Sequence, residues 1–318
     1  MSAAPLTSAP VHETPKPVSG VLSPVVTPFG DKLAVDMPRM FAHCRWLLDA
    51  DVGLAIFGTN SEGNSLTVGE RASVLQALIA AGVPAARMMP GTGGCAIPDV
   101  VELTRSAVQL GCGGVLVLPP FYYKGVSDDG LFAFYSEVIE RVADTRLRLY
   151  LYHIPPVAQV PLSLDLVGRL LDRYGSVVAG IKDSGGQWDH TAALIERFAA
   201  RGLQVFAGSE NFLLRTMRAG GAGCISATAN VNPAAIVALY QHWQDADADQ
   251  RQSALDTVRA LFAGFPMIPS MKHALANATG HAGWRQLRPL LVALTAEQQS
   301  AFDQAAQSIG FKLTVNEK

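Results

Sequence analysis

Seven lysines occur in the chain: Lys16, Lys32, Lys124, Lys182, Lys272, Lys312 and Lys318. Lys182 alone closes a strand-like run, Val177-Val178-Ala179-Gly180-Ile181-Lys182, before a polar turn, Asp183-Ser184-Gly185-Gly186. A short apolar run bounded by turn residues reads as a buried strand. Burying an ammonium is costly unless it is paired or loses its proton. Two readings of Lys182 follow. It snorkels to solvent from a strand end, or it is an amine that attacks a carbonyl and forms a Schiff base. Attack needs the neutral amine, and a free lysine is only about 0.1% neutral near pH 7.4. The second reading therefore requires neighbours that manage protons.

Such neighbours stand at the ends of other apolar runs. Thr59 and Asn60 lie in Gly58-Thr59-Asn60-Ser61-Glu62-Gly63, and Tyr122 and Tyr123 follow Pro119-Pro120-Phe121. Tyr152 precedes His153-Ile154-Pro155, Gly208 and Ser209 follow the run 204–207, and Ile225 ends another. Each has an ordinary explanation. The tyrosines pack or alternate along a strand, Thr59 forms a turn, and His153 orients a loop. Their joint occurrence at successive strand ends favours chemistry. A proton donor expels the carbinolamine oxygen as water, and the iminium becomes an electron sink. Backbone N–H groups in a glycine turn, with a hydroxyl, suit a carboxylate beside the ketone.

The elements that must position these groups alternate. Strand-like runs at 21–26, 53–57, 87–89 (weaker), 114–118, 147–152, 177–182, 204–207 and 222–226 each precede a helical pattern. Asp36 before Pro38, and Thr67 before Glu70, mark helix starts. Eight β-then-α units predict an α/β chain folded as a (β/α)8 TIM barrel, whose active site lies at the C-terminal ends of the strands. Further helical patterns at 252–263, 268–277 and 296–309 predict a C-terminal helical extension. The expected organisation is a disordered tail over 1–18, a barrel over 19–245 and the extension over 246–318. An open, doubly wound sheet is disfavoured. It would carry a phosphate loop after the first strand, where the sequence has Thr27-Pro28-Phe29-Gly30.

With 49% of 318 residues hydrophobic, the chain can bury a sizeable core. A net charge of −2 with no basic run argues against nucleic-acid and anionic-membrane partners. No apolar stretch reaches membrane-spanning length. The N-terminal segment, rich in Ala, Pro, Ser and Thr, reads as a disordered tail rather than a signal peptide. The widely spaced Cys44, Cys95, Cys112 and Cys224 form neither a disulfide nor a metal pattern and suit a reducing cytoplasm. The histidines form no HxxxH or HExxH arrangement, so no dedicated metal site is expected.

Four motifs in order resemble the N-acetylneuraminate lyase / dihydrodipicolinate synthase family of pyruvate-dependent class I aldolases. They are Gly58-Thr59-Asn60-Ser61-Glu62, Pro119–Tyr123, Tyr152-His153-Ile154-Pro155 and Gly180-Ile181-Lys182-Asp183-Ser184, within a resemblance running from about Gly20 to Leu290. The resemblance implies Lys182 as the Schiff-base lysine and Tyr152 as proton relay and general acid/base. It implies Thr59 as the link between Tyr152 and Tyr123, with Tyr123 reaching a neighbouring subunit's site in a homotetramer. Thr59 and Asn60 would hold the keto-acid carboxylate. Ile225 would line the site with its carbonyl, and Gly208 and Ser209 would contact substrate. No cofactor is implied beyond the covalent Schiff base, and the partners are pyruvate and an aldehyde.

The departures bear on the substrate. Dihydrodipicolinate synthases carry an arginine two residues after the motif proline to hold a second carboxylate, and that position is Val157. Asn60 and Ser61 replace the usual threonine and glycine. The turn, with Ala207-Gly208-Ser209, resembles the 4-hydroxy-2-oxoglutarate aldolase branch, and Pro120–Gly125 also resembles sugar-acid branches. The expectation is a lyase for a 4-hydroxy-2-oxo acid or a 2-keto-3-deoxy sugar acid. Alternatives within the family are 4-hydroxy-tetrahydrodipicolinate synthase and a dehydratase or hydratase-aldolase. A non-catalytic keto-acid-binding barrel is disfavoured, because a pure binder needs no proton relay.

Overall fold

The computed structural model describes residues 18–315, so the expected tail lies outside the described residues up to residue 17. Seven parallel strands follow the order β2-β1-β7-β6-β5-β4-β3. They are β1 Gly20–Ser23, β2 Gly53–Leu54, β3 Val115–Val117, β4 Leu149–His153, β5 Val178–Asp183, β6 Gln204–Ala207 and β7 Gly223–Ile225. Helices connect them in the expected alternation.

The weak third run closes the ring without forming a regular strand. The Met89 and Gly91 N–H groups donate to Leu54 and Ile56 at 2.8 and 2.7 Å. On the other edge, the Leu116 N–H donates to Pro90 and the Thr92 N–H to Leu116, at 2.9 and 3.0 Å. Pro90 has no N–H and cannot complete a ladder, so isolated parallel bridges at Met88 and Gly91 take the place of the eighth strand.

Local chemistry sets the helix starts. Asp36 caps Met37–Asp49 through the Arg39 N–H, and Thr67 and Glu70 form a reciprocal capping box on Val68–Ala80. The helix Leu164–Tyr174 starts at Ser163 and buries Leu166, Val167, Leu170 and Leu171 against the sheet. Truncating one such leucine to alanine costs about 2–5 kcal/mol.

Barrel staves alternate in and out. Leu22, Ala55, Met89, Leu116, Tyr150, Tyr152, Phe206 and Ile225 form an interior cluster distinct from the larger one under the helices. Helices Ala248–Ala263, Met267–Thr279 and Ala296–Ser308 build a third cluster around Phe262, Met271, Leu275, Trp284 and Phe302. Among the described residues, no helix is long and apolar enough to cross a membrane.

Candidate active site

The registers of β4 and β5 decide what faces inward. Tyr150 pairs with Gly180, Tyr152 with Lys182 and His153 with Asp183. Tyr150 and Tyr152 are two residues apart and share the inner face, as do Gly180 and Lys182. Tyr150 fills the lower interior. Its hydroxyl donates to Gln204 at 2.7 Å, and burial pushes its phenol up to about 12. A Cβ at Gly180 would lie 2.5 Å from that ring, so glycine is the residue that fits there. One layer higher stand Tyr152 and Lys182, 3% and 2% exposed.

The Lys182 amine donates to the Tyr152 hydroxyl at 3.2 Å and sits 4.3 Å from the centre of that ring. The Tyr152 hydroxyl is 3.4 Å from the Thr59 hydroxyl. Lys, Tyr and Thr thus form a continuous line at the C-terminal mouth. Among the described residues Lys182 has no carboxylate partner. Lys272 differs, because its amine binds Glu62 and the Gln286 carbonyl.

The turn after β2 supplies the other half of the site. The Ser61 and Gly63 N–H groups donate to Gly58 O, and the Glu62 N–H donates to Thr59 O. Among the described residues, the N–H groups of Thr59 and Asn60 have no acceptor and the Asn60 amide has no partner. Free backbone N–H groups in a bend, beside a hydroxyl, are the kind of donors that take an anion. The turn is tight. A Cβ on Gly63 would lie 2.0 Å from the Phe57 oxygen, and Phe57 itself has φ +63°.

The remaining expected residues are placed as follows. Ile225 is fully buried in the interior cluster with Tyr152. The Gly208 N–H donates to Asp183 O at 2.7 Å, and the Ser209 hydroxyl donates to Asn211 at 2.8 Å, so both groups already have internal partners. Tyr123 is 73% exposed and packs edge-on against Tyr122. Within one chain it therefore stands apart from the Lys182–Tyr152–Thr59 line. Lys124 donates to the carbonyls of Phe121 and Ala158, holding the Tyr122–Tyr123 loop against the one-turn helix Pro155–Ala158. Val157, on that turn, is 59% exposed.

Besides the Glu62–Lys272 pair, two polar clusters that the sequence does not reveal flank the site. Behind the inner Tyr152–Lys182 pair, His153 and Asp183 face outward in the same register. Asp183 accepts from His190 Nδ1 at 2.9 Å, Thr191 Oγ1 at 2.7 Å and the Gly185 N–H at 2.9 Å. The hydrogen bond to Asp183 raises His190 above its ordinary pKa, whereas burial lowers His153 to about 4. These three side chains are close enough to be considered as metal ligands. However, the two imidazoles stack at 4.2 Å and 19°, and His153 Nδ1 accepts the Leu162 N–H. Nearly parallel stacked rings cannot both direct an in-plane lone pair at one ion, so the cluster reads as a hydrogen-bonded clamp. The second cluster centres on Glu210, 1% exposed, which accepts from Ser226 and Thr228 and has Arg259 at 3.4 Å. It ties the loop after β6 to the loop after β7. Neither cluster has a short sequence spacing that would reveal it.

A parallel barrel with a buried lysine against a tyrosine hydroxyl at adjacent strand ends has the frame of a Schiff-base lyase. The sequence profile of the dihydrodipicolinate synthetase family matches residues 17–309, and the chain belongs to that family. It is 33% identical over 294 residues to a DapA-like lyase of Chloroflexus aurantiacus, covering 91% of this chain and 96% of the relative. The crystal structure of dihydrodipicolinate synthase from Agrobacterium tumefaciens C58 superposes with a TM-score of 0.84 at 33% identity, covering 92% of this chain and 99% of that one. YagE, a prophage protein of the same family from E. coli K12 solved in complex with pyruvate, gives 0.83 at 26% identity with the same coverage. The protein is an enzyme of the aldolase/lyase class.

Proposed function

We propose that the protein forms a Schiff base between Lys182 and a 2-oxo acid, and makes or cleaves the C–C bond next to pyruvate in a 4-hydroxy-2-oxo acid or 2-keto-3-deoxy sugar acid. The observation that carries this is the line from the Lys182 amine through the Tyr152 hydroxyl to Thr59, beside the free N–H groups of Thr59 and Asn60. Lys182 attacks the ketone, Tyr152 protonates the departing oxygen, and water leaves. In the cleavage direction Tyr152 takes the 4-hydroxyl proton, the C3–C4 bond breaks, an aldehyde departs, and the electron pair moves into the iminium to give an enamine. Protonation at C3 and hydrolysis then release pyruvate and restore the amine. The iminium supplies the electron sink, so the reading calls for no further cofactor. The Thr59–Asn60 turn holds the carboxylate.

The same reading includes a homotetramer in the cytoplasm. Support for the assembly, though not for the location, is that Tyr122, Tyr123 and Val157 are exposed apolar groups on adjoining turns, suited to burial against a second copy. Tyr123 would then extend the proton relay in the partner's site. The testing experiment is pyruvate release from a panel of 4-hydroxy-2-oxo acids and 2-keto-3-deoxy acids, with product identification. Pyruvate plus an aldehyde supports the lyase reading. A dehydrated oxo acid without pyruvate replaces it with a dehydratase.

A further inference from the structure

We propose that the buried Glu62–Lys272 pair holds the Thr59–Asn60 turn in its anion-binding conformation, making Lys272 a positioning residue for the keto-acid carboxylate. This inference rests on the reading of that turn given above. Lys272 lies on Met267–Thr279, a helix of the C-terminal group, 210 residues beyond Glu62.

The turn has non-glycine residues in the left-handed region at both ends, Phe57 at φ +63° and Glu62 at φ +54°. Such conformations cost of order 1–3 kcal/mol each and persist where surrounding contacts over-determine them. The contacts here are specific. The Thr27 hydroxyl donates to Ser61 O at 2.6 Å. Glu62 Oε1 accepts from the Lys272 amine, and Oε2 accepts from the Arg288 N–H at 3.1 Å. The side chains of Glu62 and Lys272 are both fully buried. Removing one partner of such a pair leaves an uncompensated charge, which is far more disruptive than never having the pair. The groups held in place by this bracing are the unpartnered N–H groups of Thr59 and Asn60.

The surroundings also set a titration. Lys272 faces Glu62 from the turn. It shares the Phe29 ring with the Arg288 guanidinium, the two cations lying 4.6 and 4.9 Å from its centre. Arg288 is in turn paired with Glu70 of Val68–Ala80. Burial lowers the Lys272 ammonium to about 8, with Glu62 opposing the shift. Loss of that proton removes the positive charge that compensates the buried Glu62 carboxylate and leaves a neutral amine, a weaker donor, beside the Arg288 N–H, and the turn loosens.

The test is borohydride trapping on the full-length protein over graded pyruvate, reading the half-saturating concentration and the limiting yield of the Lys182 adduct. In Lys272→Met and in Glu62→Gln the half-saturating concentration should rise about tenfold or more, the scale of one hydrogen bond to a charged group. The limiting yield should stay near that of the wild type. Lys272→Arg, whose guanidinium stays charged, should bind pyruvate as the wild type does near pH 7. It should then outperform the wild type progressively between about pH 8 and 9. Glu62→Gln keeps a near-isosteric side chain and serves if Lys272→Met does not fold. Half-saturation within twofold of wild type in a folded variant, or a pH-independent ratio between wild type and Lys272→Arg, would overturn the inference. If the wild type itself gives no adduct on Lys182, the functional reading fails first and this inference falls with it.

Discussion

Replacing Tyr152 with phenylalanine removes one oxygen from the centre of the proposed relay and little else. The ring is 3% exposed and packs in the barrel interior, so phenylalanine keeps the packing. The oxygen has two partners, Lys182 at 3.2 Å and Thr59 at 3.4 Å, both near the long end of useful hydrogen bonds. Their net contribution to folding is about 0.5–1.5 kcal/mol each. The catalytic effect is of a different size. A positioned general acid–base group accelerates its step by about 10²–10⁴, equivalent to about 3–5 kcal/mol of barrier. Tyr152→Phe should therefore lower kcat by 10²–10⁴ while the thermal midpoint moves slightly. KM should change little, since the carboxylate-holding turn is untouched. Thr59→Val, which keeps the shape but breaks the longer contact, should cost less, about tenfold. The assay is pyruvate release coupled to lactate dehydrogenase, with melting curves on the same preparations. A Tyr152→Phe protein retaining more than a tenth of wild-type kcat would refute the relay.

Other outcomes follow from the same geometry. The wild type should condense pyruvate with aspartate semialdehyde poorly or not at all, because Val157 cannot bind the second carboxylate, and Val157→Arg should recover only a trace. Robust wild-type turnover in the coupled assay would return the chain to dihydrodipicolinate synthase activity. His190 is raised by its hydrogen bond to Asp183, so its contribution to stability is complete below its ordinary value of 6.5 and is lost as pH rises through the raised one. Desolvation opposes, but hydrogen bonds from His190, Thr191 and Gly185 outweigh it and hold Asp183 below 3.8, so its contribution is present above that value and lost in stronger acid. His190→Asn should therefore lower the thermal midpoint more at about pH 6 than at about pH 9. An equal loss at both would contradict the clamp.

The alternation of apolar runs and capped helices made the barrel legible, because Asp36 and Thr67 act within a few residues of themselves. Strand ends were readable to within a few residues. The first run stops early at Pro24, and the second stops before Phe57 turns left-handed. The 87–89 run was weak for a physical reason, the missing N–H of Pro90. The one-turn helix Pro155–Ala158 is too short to show periodicity. Lys182, Tyr152 and Thr59 stood out because unusual residues closed apolar runs, and the structure brings them into one line. What the sequence could not show was pairing at long range. Glu62 reads as a turn residue and Lys272 as one helix lysine among apolar neighbours until the fold places one against the other. His153, Asp183 and His190 have no informative spacing, since they lie at the end of β4, at the end of β5 and on the helix Trp188–Phe198. Tyr123 remains exposed in one chain, and its proposed role depends on a second copy.

The most direct measurement is the position of the covalent adduct. Incubation with pyruvate and borohydride, followed by peptide mapping, should place a reduced pyruvyl group on Lys182 alone. Lys182→Ala should abolish the adduct, and Lys182→Arg should be inactive, because a guanidinium stays protonated and cannot attack. An adduct on Lys124 or Lys272, or undiminished labelling of Lys182→Ala, would contradict the account.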